Sequence, residues 1–197
     1  MNIIDRVKNI LLTPKTEWEV IDGETATPVS LLTKYVLPLA AAVSFVGILL
    51  YAIFSGVIGA YISIGTAIIG LAAAAISFIV TSYIADALAP SFDSEKNLSK
   101  SAQLVAYSFT AAAVGGLFSF IPFLGWFIAI AALAYGAYLM YEGVGALKKT
   151  PEDKKIIYVI VIYGIWIAAY FIFVAIFSTI LFSILAGGAI IGGGGLR

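Results

Sequence analysis

The chain contains no cysteine and no histidine. The first absence excludes disulfides and thiolate chemistry, and the second removes the commonest metal-binding side chain. Charged residues are also scarce, at 11%, and they balance to a net charge of zero. Because no basic field attracts phosphates, the composition argues against nucleic acid as a partner.

Apolar residues are in large excess and make up 62% of the chain. Three long runs, 35–85, 101–141 and 156–196, contain no Asp, Glu, Lys or Arg. A soluble domain could not cover its surface with so few charges, whereas a bilayer accepts the apolar excess. The sequence therefore predicts an integral membrane protein that crosses the bilayer several times.

A helix needs about 20 apolar residues to cross the hydrocarbon, so the first two runs hold two spans each and the third holds one. We predict an all-α bundle of five transmembrane helices, with spans at about 35–54, 61–85, 102–120, 123–141 and 156–186. The first reversal is assigned to Gly56 and its neighbours, and the second to the sequence around Pro122. Residues 29–197 form this membrane domain, and Gly192 to Gly195 are assigned no role.

The cations support this count independently. Lysine and arginine number four before the first span, then none, two, none and four in successive loops, and one in the tail. This alternation follows the positive-inside rule, and models with four or six spans break it. It predicts the amino terminus in the cytoplasm and the carboxyl terminus outside.

Residues 1–28 are predicted to form a cytoplasmic segment of short amphipathic helices. One face of the first helix carries Ile3, Ile4, Val7, Ile10 and Leu11. That face either lies in the membrane interface or packs on the cytoplasmic end of the bundle. A second helix, at about Pro14–Asp22, carries Trp18 as an interfacial anchor. Charges at Asp5, Arg6 and Lys8 interrupt the start, so no cleaved leader is expected.

Five residues are candidates for interaction at the cytoplasmic face: Trp18, Asp86, Glu142, Lys148 and Lys149. Asp86 and Glu142 end the second and fourth spans, where the helix dipole opposes an acid. Each is therefore expected to have a lysine or backbone partner nearby. The alternative is that both acids flank a shared cytoplasmic pocket.

The predicted spans carry little reactive chemistry. No ionisable group lies in the middle of any span, and the serines there lack a neighbouring base. We therefore assign no catalytic residue, no cofactor and no metal site, and we do not expect an enzyme. Small residues four apart favour close helix contacts, within the bundle or between copies: Ala111 and Gly115, Ala112 and Gly116, Ala132 and Gly136, and Gly164 and Ala168.

An ordered set of motifs covers nearly the whole chain. It comprises Leu11-Leu12-Thr13-Pro14-Lys15-Thr16-Glu17-Trp18, Leu88-Ala89-Pro90-Ser91-Phe92, Val105-Ala106-Tyr107-Ser108-Phe109-Thr110, Ile121-Pro122-Phe123-Leu124-Gly125-Trp126, Tyr135-Gly136-Ala137-Tyr138-Leu139-Met140-Tyr141-Glu142-Gly143 and Leu147-Lys148-Lys149-Thr150-Pro151-Glu152-Asp153-Lys154. This set resembles the prokaryotic branch of the Ypt-interacting-protein (Yip domain) family of five-span membrane proteins.

The resemblance implies a multi-pass protein in the cell membrane of a prokaryote, without catalytic residues to carry over. Eukaryotic members associate with Rab-type GTPases and with each other. Their Asp-Leu-Tyr-Gly-Pro motif has no counterpart before Pro28, which argues against a GTPase partner here. We expect a non-enzymatic scaffold that organises membrane or recruits partners through its cytoplasmic face. Its partners would be the lipid bilayer, other membrane proteins or further copies of itself. The alternative is a small transporter, channel or lipid-moving protein that uses a groove between spans.

Overall fold

The computed structural model describes residues 2–118, 121 and 123–193. Within them the chain forms helices and no strand. The α-helices are α1 (Ile3–Leu12), α2 (Pro14–Asp22), α3 (Pro28–Leu31), α4 (Leu37–Leu88), α5 (Leu98–Gly116), α6 (Leu124–Lys148) and α7 (Glu152–Gly193). A π-helical turn, Leu32–Val36, joins α3 to α4, and a 3-10 turn, Ala89–Phe92, follows α4. The all-α prediction is confirmed.

Some predicted features lie outside the described residues. They are the turn at Pro122, the end of the third predicted span at Phe120, and Gly194 and Gly195 of the tail. The predicted reversal at Gly56 falls on described residues, and the helix is broken there. Gly56 interrupts α4 with φ 64° and ψ −160°, a conformation that glycine adopts without the steric cost of a Cβ atom.

Four segments of the described chain are long and apolar enough to cross a membrane: Pro28–Phe54, Tyr61–Phe92, Leu124–Lys148 and Glu152–Ser183. Large apolar side chains on them point outward, including Ile53, Trp126, Phe171 and Phe182, each more than 60% exposed. Soluble monomers rarely expose apolar surface on this scale, and lipid is the medium that suits it.

The helix α5 is the centre of the bundle. Every residue from Ser101 to Ser108 is buried, and the helix packs against α1, α3, α4 and α6. It is not among the four apolar segments, because Lys100, Gln103 and several hydroxyl residues reduce its apolar character. Gln103 and most of the hydroxyl residues are buried against protein, so α5 does not need a lipid-like surface.

The amphipathic face of α1 packs on the bundle. Ile10 is completely buried, and Ile3, Val7 and Leu11 are partly buried against the core. Of the two alternatives for this face, packing on the bundle is therefore the one observed. Ile4 remains exposed on the outer side of the helix.

Candidate functional site

The charged residues that the structure describes gather at one end of the bundle, which we call the charged end. It comprises the ends of α4, α5, α6 and α7 around residues 86–100 and 142–155. Residues 2–27, here called the cap, lie across it, with α1 contacting α5 and α2 contacting α6. The cap contributes fully buried side chains to the core, namely Ile10, Trp18 and Ile21.

A buried guanidinium holds the two helices of the cap together. Arg6 is 5% exposed, and its Nη1 donates a hydrogen bond to Glu17 Oε1 at 2.5 Å. Its Nη2 donates to the Glu24 carboxylate. The guanidinium carbon also lies 5.1 Å from the ring centroid of Tyr107 on α5. Hydrogen bonds to charged groups are among the stronger ones in proteins, and a cation over an aromatic face adds to them.

Trp18 contacts the same tyrosine as this arginine. The indole is 1% exposed and meets the Tyr107 ring edge to face, with centroids 6.2 Å apart. It approaches α6 at Gly143, where a Cβ atom would lie 2.8 Å from Trp18 Cζ2. Only glycine leaves room for that contact. The prediction of an interfacial anchor is therefore wrong, because the sequence pattern did not reveal that the bundle itself offers Trp18 an apolar site.

The carboxyl end of α2 is bound by polar side chains of α5. Lys100 Nζ donates to the backbone carbonyls of Ile21, Asp22 and Glu24. Gln103 Nε2 donates to the Ile21 and Glu24 oxygens at 3.3 and 3.2 Å. The last carbonyls of a helix have no partner within it, and a cation there suits the dipole. These contacts fasten the cap to α5.

Asp22 adds ion pairs to the same junction. Its carboxylate lies 3.1 Å from Lys100 Nζ and 3.1 Å from Lys149 Nζ, so it connects the cap to both α5 and the end of α6. The hydrogen bond from Lys100, helped by Lys149, lowers the pKa of Asp22 below its ordinary value of 3.8.

A second polar group, here called the polar cluster, consists of Asp86, Ser101 and Lys148. The Lys148 side chain has no exposure, and its Nζ donates to Ser101 Oγ at 2.7 Å and to Asp86 Oδ1 at 3.4 Å. Ser101 Oγ donates to Asp86 Oδ1 at 3.3 Å. The cluster thereby joins the ends of α4, α5 and α6. The expectation that Asp86 has a lysine partner is confirmed.

The serine and lysine of this cluster form a pair that could, in an open site, act as nucleophile and base. Both residues are completely buried in this conformation, so no substrate can reach them. Among the described residues there is also no group of three or more acids that could hold a metal ion. The polar cluster therefore acts as a structural junction.

The two loops at the charged end are fastened to each other. Glu95 donates its backbone N–H to the Lys148 carbonyl at 2.8 Å, and Ser94 and Thr150 share a hydrogen bond at 2.8 Å. The rings of Phe92 and Tyr158 stack with centroids 4.6 Å apart. The α4–α5 loop and the α6–α7 loop therefore lie at the same end of the bundle.

The remaining candidate residues lie at the surface. Glu142 is partly exposed and faces Lys15 of the cap, with 3.9 Å between Oε1 and Nζ. Lys149 is exposed and pairs with Asp22. Asp86 and Glu142 thus face different partners. Partner binding through the five predicted residues stays a prediction, and in this conformation only Glu142 and Lys149 are accessible for it.

Arg6, Ser101 and Gln103 were not identified from the sequence. Arg6 falls on the polar side of the amphipathic α1 helix, which is typical of a solvated residue. Its ion partner Glu17 is on the next helix, and Tyr107 is on α5. No local pattern records such a contact.

An apolar cavity of about 260 Å³ lies among the long helices, away from the charged end. Small residues form part of its wall, including Gly70, Ala74, Ala113 and Gly116, and three aromatic residues face them, Phe109, Trp166 and Tyr170. Residues from α4, α5, α6 and α7 all contribute. The cavity is partly open, because Phe171 at its wall is also 61% exposed on the outside of the bundle.

The helical bundle, its four long apolar segments and their outward apolar side chains define a membrane-embedded protein. The model of the Yip1 domain matches residues 8–176. The chain belongs to the Yip1 domain family. No curated protein and no solved structure matches it.

Proposed function

We propose that this protein is a five-span, non-enzymatic scaffold of a prokaryotic cell membrane, and that it recruits other membrane proteins through its cap. The observation that carries the proposal is the buried Arg6, which binds Glu17 and Glu24 over the ring of Tyr107. Because both cap helices are fastened to the bundle, their outward side is a fixed surface. A preformed surface binds a partner with little ordering cost.

The positions of the loops support five spans. The α4–α5 loop and the α6–α7 loop are bonded to each other, so α5 and α6 either both cross the membrane or both stay on one side. The helix α6 is long and apolar enough to cross. The helix α5 must then cross as well, and its buried position explains how it can do so with polar residues.

The two halves of α4 are constrained by a similar contact. The cap lies before α4 in the chain and the α4–α5 loop lies after it. Because Lys100 of α5 bonds to Asp22 of the cap, both ends of α4 lie at the charged end. The two halves of α4 on either side of Gly56 therefore cross as a pair, and α7 crosses alone. Lysine is concentrated at the charged end, and this favours the placement of that end in the cytoplasm.

The outward side of the cap is amphipathic. Ile4 and Leu12 of α1 are 74% and 70% exposed, and Lys8 of α1 and Lys15 of α2 are exposed as well. Aliphatic side chains surrounded by charges are typical of a surface that binds another protein at its apolar centre.

A photo-crosslinking amino acid placed at Ile4 or Leu12 tests this function in native membranes. We expect discrete crosslinked proteins from both positions. The matched control is Tyr61, which is 73% exposed at the opposite end of the bundle and should not yield those products. Crosslinks from Ile4 and Leu12 to lipid alone would contradict recruitment of a protein.

The second candidate function is that of a small transporter, channel or lipid-moving protein. The apolar cavity among the spans is the observation that favours it. Flux of labelled lipid or of ions across vesicles that contain the purified protein would support this candidate over the scaffold.

A further inference from the structure

The apolar cavity lies at the depth of the hydrocarbon. Counting about 1.5 Å per residue along each helix, Ala113 lies about 22 Å from Leu98, and Gly70 about 27 Å from Leu88. Both Leu98 and Leu88 are at the charged end. If the helices cross the bilayer as proposed above, the cavity lies near the middle of the membrane, because Gly70, Ala113 and Tyr170 are close to the centres of the spans 61–85, 102–120 and 156–186. The molecules that surround it there are lipids.

The wall of the cavity suits an alkyl chain. Glycine and alanine leave a channel beside the helix backbones, and the rings of Phe109 and Trp166 form an apolar side, meeting edge to face with centroids 6.0 Å apart. A cavity of about 150 Å³ suffices to bind benzene in an apolar protein core. The volume of about 260 Å³ therefore accommodates a substantial part of one acyl chain.

One polar group is also available in the wall. Tyr170 faces Gly70, whose Cβ position lies 3.9 Å from the tyrosine hydroxyl oxygen, and that hydroxyl has no hydrogen-bond partner among the described residues. It lies about 21 Å along α7 from Ile156, where the uncharged run of the helix begins, and so within a hydrocarbon core about 30 Å thick, well short of its far edge. At that depth the ends of acyl chains surround it, and the ester carbonyls of a phospholipid do not reach it.

We propose that the cavity binds the apolar end of one acyl chain of a phospholipid. This inference rests on the proposed five-span placement and adds a ligand site that scaffolding by the cap does not require. The chain enters past Phe171 and lies against Ala113 and Gly116 of the central helix.

The test uses the full-length protein in phosphatidylglycerol vesicles that contain a small fraction of phosphatidylglycerol with a diazirine near the end of one acyl chain. After irradiation, adducts are mapped by mass spectrometry. We expect adducts on Ala113 and its neighbours, because Ala113 is only 6% exposed and bulk lipid cannot reach it. Adducts confined to lipid-exposed residues such as Ile160 and Phe182 would overturn the proposal.

Two glycines allow the cavity to be filled without a backbone clash. A Cβ atom at Gly70 or Gly116 meets its nearest neighbour at 3.9 or 3.8 Å, so leucine at either position extends into the cavity. The variant Gly70→Leu/Gly116→Leu should lose most of the adducts on α5. The control Gly164→Leu adds the same side chain where nothing lies within 4 Å and should keep them. Unchanged α5 adducts in the filled variant would refute the site.

Two further experiments separate the alternative explanations of the result. If the double variant does not fold, as judged by its thermal unfolding, Gly116→Leu alone takes its place. A palmitic acid with the same diazirine distinguishes a phospholipid chain from a free fatty acid. Stronger labelling of α5 by the free acid would overturn the phospholipid assignment. Thiol labelling at the two ends of α5 measures the topology independently. A cavity that binds no acyl chain can therefore be distinguished from a wrong five-span arrangement.

Discussion

Lys148 Nζ lies 3.4 Å from Asp86 Oδ1, and neither residue is exposed to more than a small extent. The pair joins the carboxyl ends of α4 and α6. Removing one partner of a buried ion pair leaves the other charge uncompensated. We therefore expect Lys148→Met to lower the free energy of unfolding by about 3 kcal/mol. Thermal unfolding in detergent micelles, followed by tryptophan fluorescence, measures the change.

The exposed Lys96 provides the control for this prediction. Lys96→Met removes the same charge from the same end of the bundle and should have little effect on stability. The double variant Asp86→Asn/Lys148→Met should recover part of the loss, since no charge is then left buried alone. If Lys148→Met were as stable as Lys96→Met, the polar cluster would not be the junction described here.

Arg6→Met should loosen the cap. The substitution removes charge-assisted hydrogen bonds worth about 1.5–3 kcal/mol, which corresponds to at least about ten-fold faster local opening. Hydrogen exchange of backbone amides in α1 and α2 should accelerate accordingly, while α5 keeps its protection. Lys8→Met, on the exposed side of the same helix, should leave exchange unchanged. Equal exchange in both variants would contradict a fastening role for Arg6.

The contact between α5 and α6 depends on small residues. A Cβ atom at Gly115 would lie 2.3 Å from Ala132 Cβ, and neither atom can rotate away. Gly115→Ala should therefore destabilise the protein by about 1–3 kcal/mol through overpacking. Gly47→Ala meets nothing within 4 Å and should stabilise it by about 0.5–1 kcal/mol, because alanine favours the helix. Thermal unfolding of both variants measures whether each substitution lowers or raises the stability.

The cap junction should weaken in acid. The lysines beside Asp22 hold its folded pKa below the ordinary value of 3.8, so protonation favours the undocked cap. The contribution of Asp22 is fully present above about pH 4 and is lost as the pH falls through the lowered pKa. The protection factors of the α2 amides, which correct for the pH dependence of intrinsic exchange, should therefore fall below about pH 4. Asp22→Asn should show low protection factors already at neutral pH and little further change in acid.

The sequence predicted the lipid-facing parts of the fold well, because a residue that faces lipid has to be apolar. The break at Gly56 follows from local backbone chemistry. The predicted spans were too short at the charged end, since they were stopped at the first charge. The helices continue through Asp86 and Lys148 because those two charges neutralise each other.

The contacts of the cap could not be predicted in the same way. Trp18 and Arg6 are buried by Tyr107, a residue far along the chain, and short-range periodicity contains no information about such pairs. The low hydropathy of α5 is likewise explained by contacts with residues far away in the sequence. The side-chain nitrogens of Lys100 and Gln103 donate to carbonyls of α2, and a hydropathy pattern does not include such contacts.

Thiol labelling at the two ends of α5 tests the central claim most directly. The chain has no native cysteine, so Lys96→Cys and Phe123→Cys each carry a single thiol at an exposed position. A membrane-impermeant maleimide should label Phe123→Cys in intact cells and Lys96→Cys only after permeabilisation. Labelling of both positions from the same side of the membrane would contradict the five-span arrangement.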